Sequence, residues 1–174
     1  MPLSFPRRWL AALAIALPCL AAIATPAQAQ RRDGRVGYRG AAEIWQVEEN
    51  GRFHRCFALF PGPGGGARIF FTRDREYLIT TPDVPPQRGL LTMAINTPRG
   101  IIGLDARRVG PANAPQRVLA PLTGMQASQM LDIRRDFTFT VDTRSFRYPL
   151  GNATMADIFE SLESCTNSGS GWHR

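Results

Sequence analysis

Cys19, Cys56 and Cys165, with His54 and His173, are the residues of this sequence best suited to nucleophilic, redox or metal chemistry. No cysteine belongs to a C-x-x-C pair and no histidine sits where it would activate one, so a thiol redox centre is not indicated. A triad or a zinc site needs a nucleophile held against a base, or several ligands together. Neither His54, in an expected strand, nor His173, in an expected tail, has such a companion along the chain. The carboxylate pairs Glu48 with Glu49 and Asp132 with Asp136 are the remaining acid/base candidates. Neighbours on a strand point to opposite faces, and the second pair falls at a helix-to-strand junction, so both read as solvated charge. The reading therefore names no catalytic, cofactor-binding or metal-ligating residue.

Three further features have a plainer explanation than a site. Pro61–Gly66 is rich in glycine, but it lacks the G-x-x-x-x-G-K-[ST] pattern of a phosphate loop, carries prolines where N–H donors are needed, and precedes a strand; it reads as a hairpin loop. Asn152-Ala153-Thr154 fits a glycosylation acceptor but equally a helix start, and the start is preferred. Trp45 lies between apolar positions of an expected strand and reads as core; Trp172 is the other tryptophan considered for contact with a partner.

The N-terminus has the parts of an export signal: Arg7 and Arg8, an apolar run from Trp9 to about Ile23, and Thr25-Pro26-Ala27-Gln28-Ala29 before Gln30. Pro18 interrupts the run, which is short for a membrane span, and its place before Cys19 argues against a lipoprotein cut. Residues 1–29 are thus expected to be a signal peptide, and the product to be periplasmic or secreted. Removal of Cys19 leaves Cys56 and Cys165, an even pair in an oxidising compartment, read as one disulfide. A bridge across so long a loop contributes about 4–5 kcal/mol in the chain-entropy account.

A hydrophobic fraction of 44% and a charged fraction of 20% exclude a wholly disordered, collagenous or multi-span membrane chain. All 21 basic residues are arginine, which points to coding composition rather than to chemistry. The formal net charge of +7 falls by two when Arg7 and Arg8 leave. The remaining charge is scattered, with a loose cluster at Arg31, Arg32, Arg35 and Arg39 suited to weak attraction to anionic surfaces. Specific nucleic-acid binding is not expected.

These residues must be positioned by a mostly β domain. Apolar stretches at 43–48, 53–60, 67–73, 76–81, 90–96, 100–105, 117–121, 136–142 and 145–150 alternate with Gly, Pro and Asp-rich breaks. Phe137, Phe139 and Val141 share one face, and Phe146, Tyr148 and Leu150 share the face of a hairpin partner. Phe53, Phe57 and Leu59 on one side of their strand, with Cys56, Ala58 and Phe60 on the other, suggest a strand covered on both sides. Met155, Ile158, Phe159, Leu162 and Cys165 form one helical stripe, with Thr154 and Asp157 as a capping box. A weaker helix is expected from about Met125 to Arg134, with Ala127, Met130 and Leu131 as its apolar side. The fold class is α+β, mostly β: an antiparallel sandwich or partly open barrel, with the C-terminal helix packed on the sheet. Residues 30–41 are expected to be a flexible basic lead-in, 42–165 one domain, and 166–174 a mobile tail.

The order of these features resembles the invasion-associated locus B family, small exported proteins of alphaproteobacteria. The resemblance rests on Trp45-Gln46-Val47 before a cysteine, Val118-Leu119-Ala120-Pro121-Leu122, a short helix ending in Met130-Leu131, the strand Phe137–Val141, and Tyr148-Pro149-Leu150-Gly151 leading into the last helix. It covers about residues 42–164. The chain departs from the pattern in having one cysteine in its first half and Cys165 after the last helix. The likeness implies an envelope or surface-associated β domain without known catalytic residues. The expected function is a non-enzymatic, disulfide-stabilised envelope protein that binds a protein or surface partner. The alternatives are a periplasmic hydrolase or lyase built around His54, and a carrier for a small apolar ligand.

Overall fold

The computed structural model describes residues 31–86 and 89–169; the expected signal peptide, Trp172 and His173 lie outside them. Two antiparallel sheets and two helices make up the fold. The larger sheet has seven strands: β1 (Arg31–Arg39), β2 (Ala42–Glu49), β3 (Arg52–Phe60), β4 (Ala67–Thr72), β5 (Tyr77–Thr80), β8 (Arg107–Val109) and β9 (Arg117–Leu122), in the order β1-β2-β3-β4-β5-β9-β8. The smaller has four: β6 (Met93–Thr97), β7 (Gly100–Leu104), β10 (Asp136–Val141) and β11 (Arg144–Pro149), in the order β11-β10-β6-β7. They stack as a sandwich, not a closed barrel.

The core lies on the inner face of the larger sheet, which two different elements cover. Toward the end of β3, Phe60 packs on Phe137 and Tyr148 of the smaller sheet, with ring centroids 5.1 and 6.1 Å apart. Toward its beginning, helix α2 (Met155–Gly169) lies across β1 to β4 and buries Met155, Ile158, Phe159 and Leu162. The helix starts as the sequence requires. Thr154 Oγ1 accepts from Asp157 N at 3.3 Å, and Asp157 Oδ2 accepts from Thr154 N at 2.7 Å, so two N–H groups without helical partners satisfy each other's side chains. These bonds hold the Asp157 carboxyl below the ordinary aspartate range.

Helix α1 (Gly124–Met130) is shorter than expected because its capping box sits at Thr123 and Gln126. It ends before Leu131, which is 38% exposed and does not share the buried side of Ala127 and Met130. Helix α2 is longer than expected. Thr166, placed by sequence in the tail, is buried and donates to Phe71 O at 3.3 Å. Gly169 ends α2 against the Phe53 ring, where a Cβ would overlap it.

Residues 31–39 are not a loose lead-in but an edge strand paired along its length with β2. What fixes β1 is the turn behind it. Gly40 has φ 58°, and a Cβ there would stand 2.0 Å from Leu150 O, so only glycine lets the hairpin sit against the start of α2. Ala41 N donates to Leu150 O at 3.1 Å, and Arg39 Nε to Ser161 Oγ at 2.8 Å. Strand β8 was also unforeseen; at three residues it is too short for an alternation to be read.

Candidate functional site

Of the residues singled out by chemistry, the structure joins Cys56 and Cys165. They form a disulfide with Cα atoms 6.2 Å apart across 109 residues, fastening the last turns of α2 to the centre of β3. His54 is the extra residue of a β-bulge: Arg55 pairs with Val47 and Phe53 with Glu48, so His54 has no partner across the ladder. The bulge reverses the parity of the strand. Phe53 therefore packs with the inner core and not beside Phe57 and Leu59, as uninterrupted alternation implies. Glu49 lies 3.6 Å from His54 Nε2 and 3.7 Å from Arg55 Nη2, while His54 Nδ1 is buried without a hydrogen-bond partner among the described residues. This is a histidine–carboxylate contact between neighbouring strands.

The other acid pair, Asp132 with Asp136, is taken up by separate arginines. Asp132 takes an ion pair from Arg99 and Asp136 one from Arg147. The glycine-rich loop receives a cation. Arg117 donates to Gly64 O at 3.0 Å, Gly66 O at 3.2 Å and Thr81 O at 3.1 Å, and pairs with Asp83 at 3.1 Å. The loop thus offers carbonyls to a guanidinium, the opposite polarity from a phosphate cradle. Between the sheets the space is filled by side chains, with Phe60, Phe137, Phe139, Met93, Met130 and Met155 all buried. An apolar-ligand carrier would need that space. A groove of about 490 Å³ between α1 and α2 opens to solvent and is rimmed by Arg75, Glu160 and Glu163.

The outer face of the larger sheet is different. Trp45, Val47, Phe57, Leu59, Phe70 and Leu78 form a second apolar cluster there, separate from the core. Register places Trp45 opposite Phe57, Phe57 opposite Phe70 and Phe70 opposite Leu78, a row running across four strands. Trp45 stacks on Phe57 with centroids 6.1 Å apart, and Phe57 meets Phe70 at 5.3 Å. Trp45 is thus packed, as expected, but in this outer cluster and not in the core between the layers.

Arginines lie over the row. Arg55 stands 5.3 Å from the centre of the Phe70 ring and Arg68 5.5 Å from that of Phe57. Arg35 reaches Tyr38 and Trp45 from β1, at 4.8 and 6.0 Å. Cation–π attraction and the aliphatic stems explain why arginine suits these places. Burial lowers the basicity of Arg55 and Arg68, and the positive charge of Arg31 lowers both further, as does that of Arg117 for Arg68. Both Nε atoms are buried without an acceptor. Arg55 has Glu49 as a distant carboxylate, whereas no ion pair to Arg68 is present among the described residues. Of the N-terminal arginines, Arg31 is engaged by Asp33 at 2.7 Å, Arg35 by Glu43 at 3.9 Å and Arg39 by Ser161.

Sequence reasoning placed Phe57 and Leu59 on one covered side, as found, but missed the arginines that cover it. The signal is a repeated Arg-x-Phe, Arg55-x-Phe57 and Arg68-x-Phe70, on two strands that antiparallel pairing lays head to tail. Fold and site together define a disulfide-stapled, two-layer antiparallel β domain with an arginine-capped aromatic face. Comparison with protein-family models, curated proteins and solved structures finds no match in any of the three.

Proposed function

We propose that this chain is an exported, non-enzymatic envelope protein that binds a protein partner through the outer face of its seven-stranded sheet. The observation that carries the reading is the apolar row Trp45–Phe57–Phe70–Leu78, which no described element covers and which desolvated guanidiniums cap. Tryptophan, phenylalanine and arginine on a rigid sheet supply large contact area with little conformational entropy to lose, the composition of binding hot spots. The disulfide supports the export reading, since such bonds persist outside the reducing cytosol. The resemblance to invasion-associated locus B-like proteins points to the same compartment and role.

The test is site-specific photo-crosslinking in the protein's own host. A photoreactive residue replaces Thr72, on the outer face, or Arg144, on the edge strand of the other sheet. A discrete protein adduct from position 72 and none from position 144 is expected, on a chain whose mass begins at Gln30. Adducts from neither position, or equally from both, would refute the assignment of the face.

A further inference from the structure

The row of rings explains why the outer face is sticky, but not why two of its arginines stand without adequate anions. Arg55 and Arg68 approach the paired rings Phe57 and Phe70 from opposite ends of the β3–β4 ladder, since each leans over the phenylalanine of the neighbouring strand. Arg68 has lost water and has no ion pair among the described residues, and Arg55 has only Glu49 at 3.7 Å; a guanidinium so placed is held in an unfavourable state, and an arriving anion relieves it. A guanidinium stacked on a ring still presents its N–H groups at the edges, where a carboxylate can accept two in parallel.

The same arrangement restricts what can bind. The guanidiniums occupy the ring faces of Phe57 and Phe70, so flat stacking of a neutral sugar or a base on those rings is obstructed. A polymer with charge on every unit would also meet Asp33, Glu43 and Glu49, which sit on the same face around the arginines. A polypeptide can place carboxylates at some positions and apolar side chains at others. In an extended segment, alternate side chains recur about every 6.7 Å, on the scale of one to two strand spacings. It can therefore set carboxylates against Arg55 and Arg68 and apolar side chains against Trp45, Leu59 and Leu78.

We propose that the outer face of the seven-stranded sheet docks an acidic, extended protein segment, with Arg55 and Arg68 as its carboxylate receptors and the Trp45–Leu78 row as its apolar floor. This rests on the functional reading above and names the chemistry of the partner.

The test uses the mature chain with its disulfide intact and a twelve-residue peptide of three Glu-Ser-Val-Ser repeats, which alternates glutamate and valine along one face of an extended strand, titrated by calorimetry. The same peptide with glutamine for glutamate and a sulfated polysaccharide are the comparison ligands. Saturable binding of the glutamate peptide is expected, weakened at least tenfold by R68Q and by R55Q and left within twofold by R144Q, an exposed arginine of the other sheet. Raising salt from 50 to 500 mM should weaken it further. The melting temperature of each variant is measured beside the titration, so that lost binding is not confused with lost structure. Equal affinity of wild type and R68Q, equal affinity for the glutamine peptide, or tighter binding of the polysaccharide would each overturn the proposal. No heat up to millimolar peptide would do the same. A position-72 crosslink to a protein with no such peptide binding would refute the acidic chemistry while leaving the face standing; failure of both would remove the face as well.

Discussion

The two faces of the seven-stranded sheet are made by alternate residues of the same strands, yet they solve burial differently. On the inner face Cys56, Ala58 and Phe60 meet side chains from another sheet and a helix, and the contact is apolar throughout. On the outer face Phe57 and Phe70 are nearly as buried, but arginines of the same sheet lie over them. The inner face excludes water with partners it keeps; the outer face does so with flexible, charged lids. A closed apolar interface contributes stability and nothing else. A guanidinium-capped one keeps an apolar surface soluble and leaves it available, because the lids can be re-paired by a ligand.

The contrast is tested first where it is largest. Phe137→Ala empties a fully buried site between the layers, whose neighbours cannot collapse into the space, and should lower stability by about 3–5 kcal/mol. Phe57→Ala removes a ring of the same size, but the stems of Arg55 and Arg68 can settle into the gap. Only the transfer contribution of about 2–3 kcal/mol should then be lost. Urea denaturation of the two variants gives the comparison directly; equal losses would mean the outer lids are as rigid as the core.

Breaking the staple comes next. Cys56→Ser with Cys165→Ser should cost about 2–4 kcal/mol, and reduced wild type should show the same loss. An unchanged melting temperature in both would mean the bridge is not formed. In the intact protein, thiol titration under denaturing, non-reducing conditions should find neither Cys56 nor Cys165 free.

What the sequence made legible, and what it hid, follows the same division. The inner face was readable because its signals are local and redundant: Phe137, Phe139 and Val141 alternate, the α2 stripe repeats, and two surviving cysteines have one pairing. Of the outer face, Phe57 and Leu59 were legible as one covered side, but not the arginines that cover it, because charged residues do not register in an apolar alternation. One inserted residue, His54, inverts the parity of every side chain before it, so Phe53 falls on the inner side and not beside Phe57 and Leu59. Strand β1 was hidden for another reason. Its five charges in nine residues resemble a solvated leader, and what holds it is a glycine turn against Leu150, a contact across more than a hundred residues.

A smaller effect is expected at the rim, where β8 of the larger sheet meets the end of β10. Asp142 accepts from Thr92 N and from Arg108 Nη2, each at 3.0 Å, and both side chains of the ion pair are 16% exposed. Burial raises the tendency of this carboxyl to protonate, but the Thr92 N–H and Arg108 outweigh it, so its pKa lies below the ordinary aspartate value. Its contribution is therefore present above the unfolded value of about 3.9 and lost as pH falls through the lower folded value. Asp142 has φ 53°, a conformation asparagine tolerates, so Asp142→Asn removes the charge without backbone strain. About 1–2 kcal/mol should be lost at pH 7, with the gap to wild type narrowing in unfolding curves taken below pH 4. A gap that does not change with pH would mean the carboxylate charge is irrelevant at the rim.

The smallest effect is the most diagnostic of the comparison. Arg68 has a buried Nε without an acceptor and no ion pair among the described residues, so its charge is desolvated with little return from the folded protein itself. Arg68→Met keeps an unbranched stem over Phe57 and removes that charge. Replacing buried charge by an apolar side chain of similar shape is commonly neutral or stabilising, so stability should stay level or rise by up to about 1 kcal/mol. A residue kept for stability gives the opposite sign. If Arg68→Met lost more than about 1 kcal/mol in urea, the lid would be a structural part like Phe137 and the two faces would differ only in polarity. A level or raised stability, in the same variant that no longer binds the glutamate peptide, separates the outer face from the inner one. Arg68 would then be held at a strain that the fold does not need and only a ligand relieves.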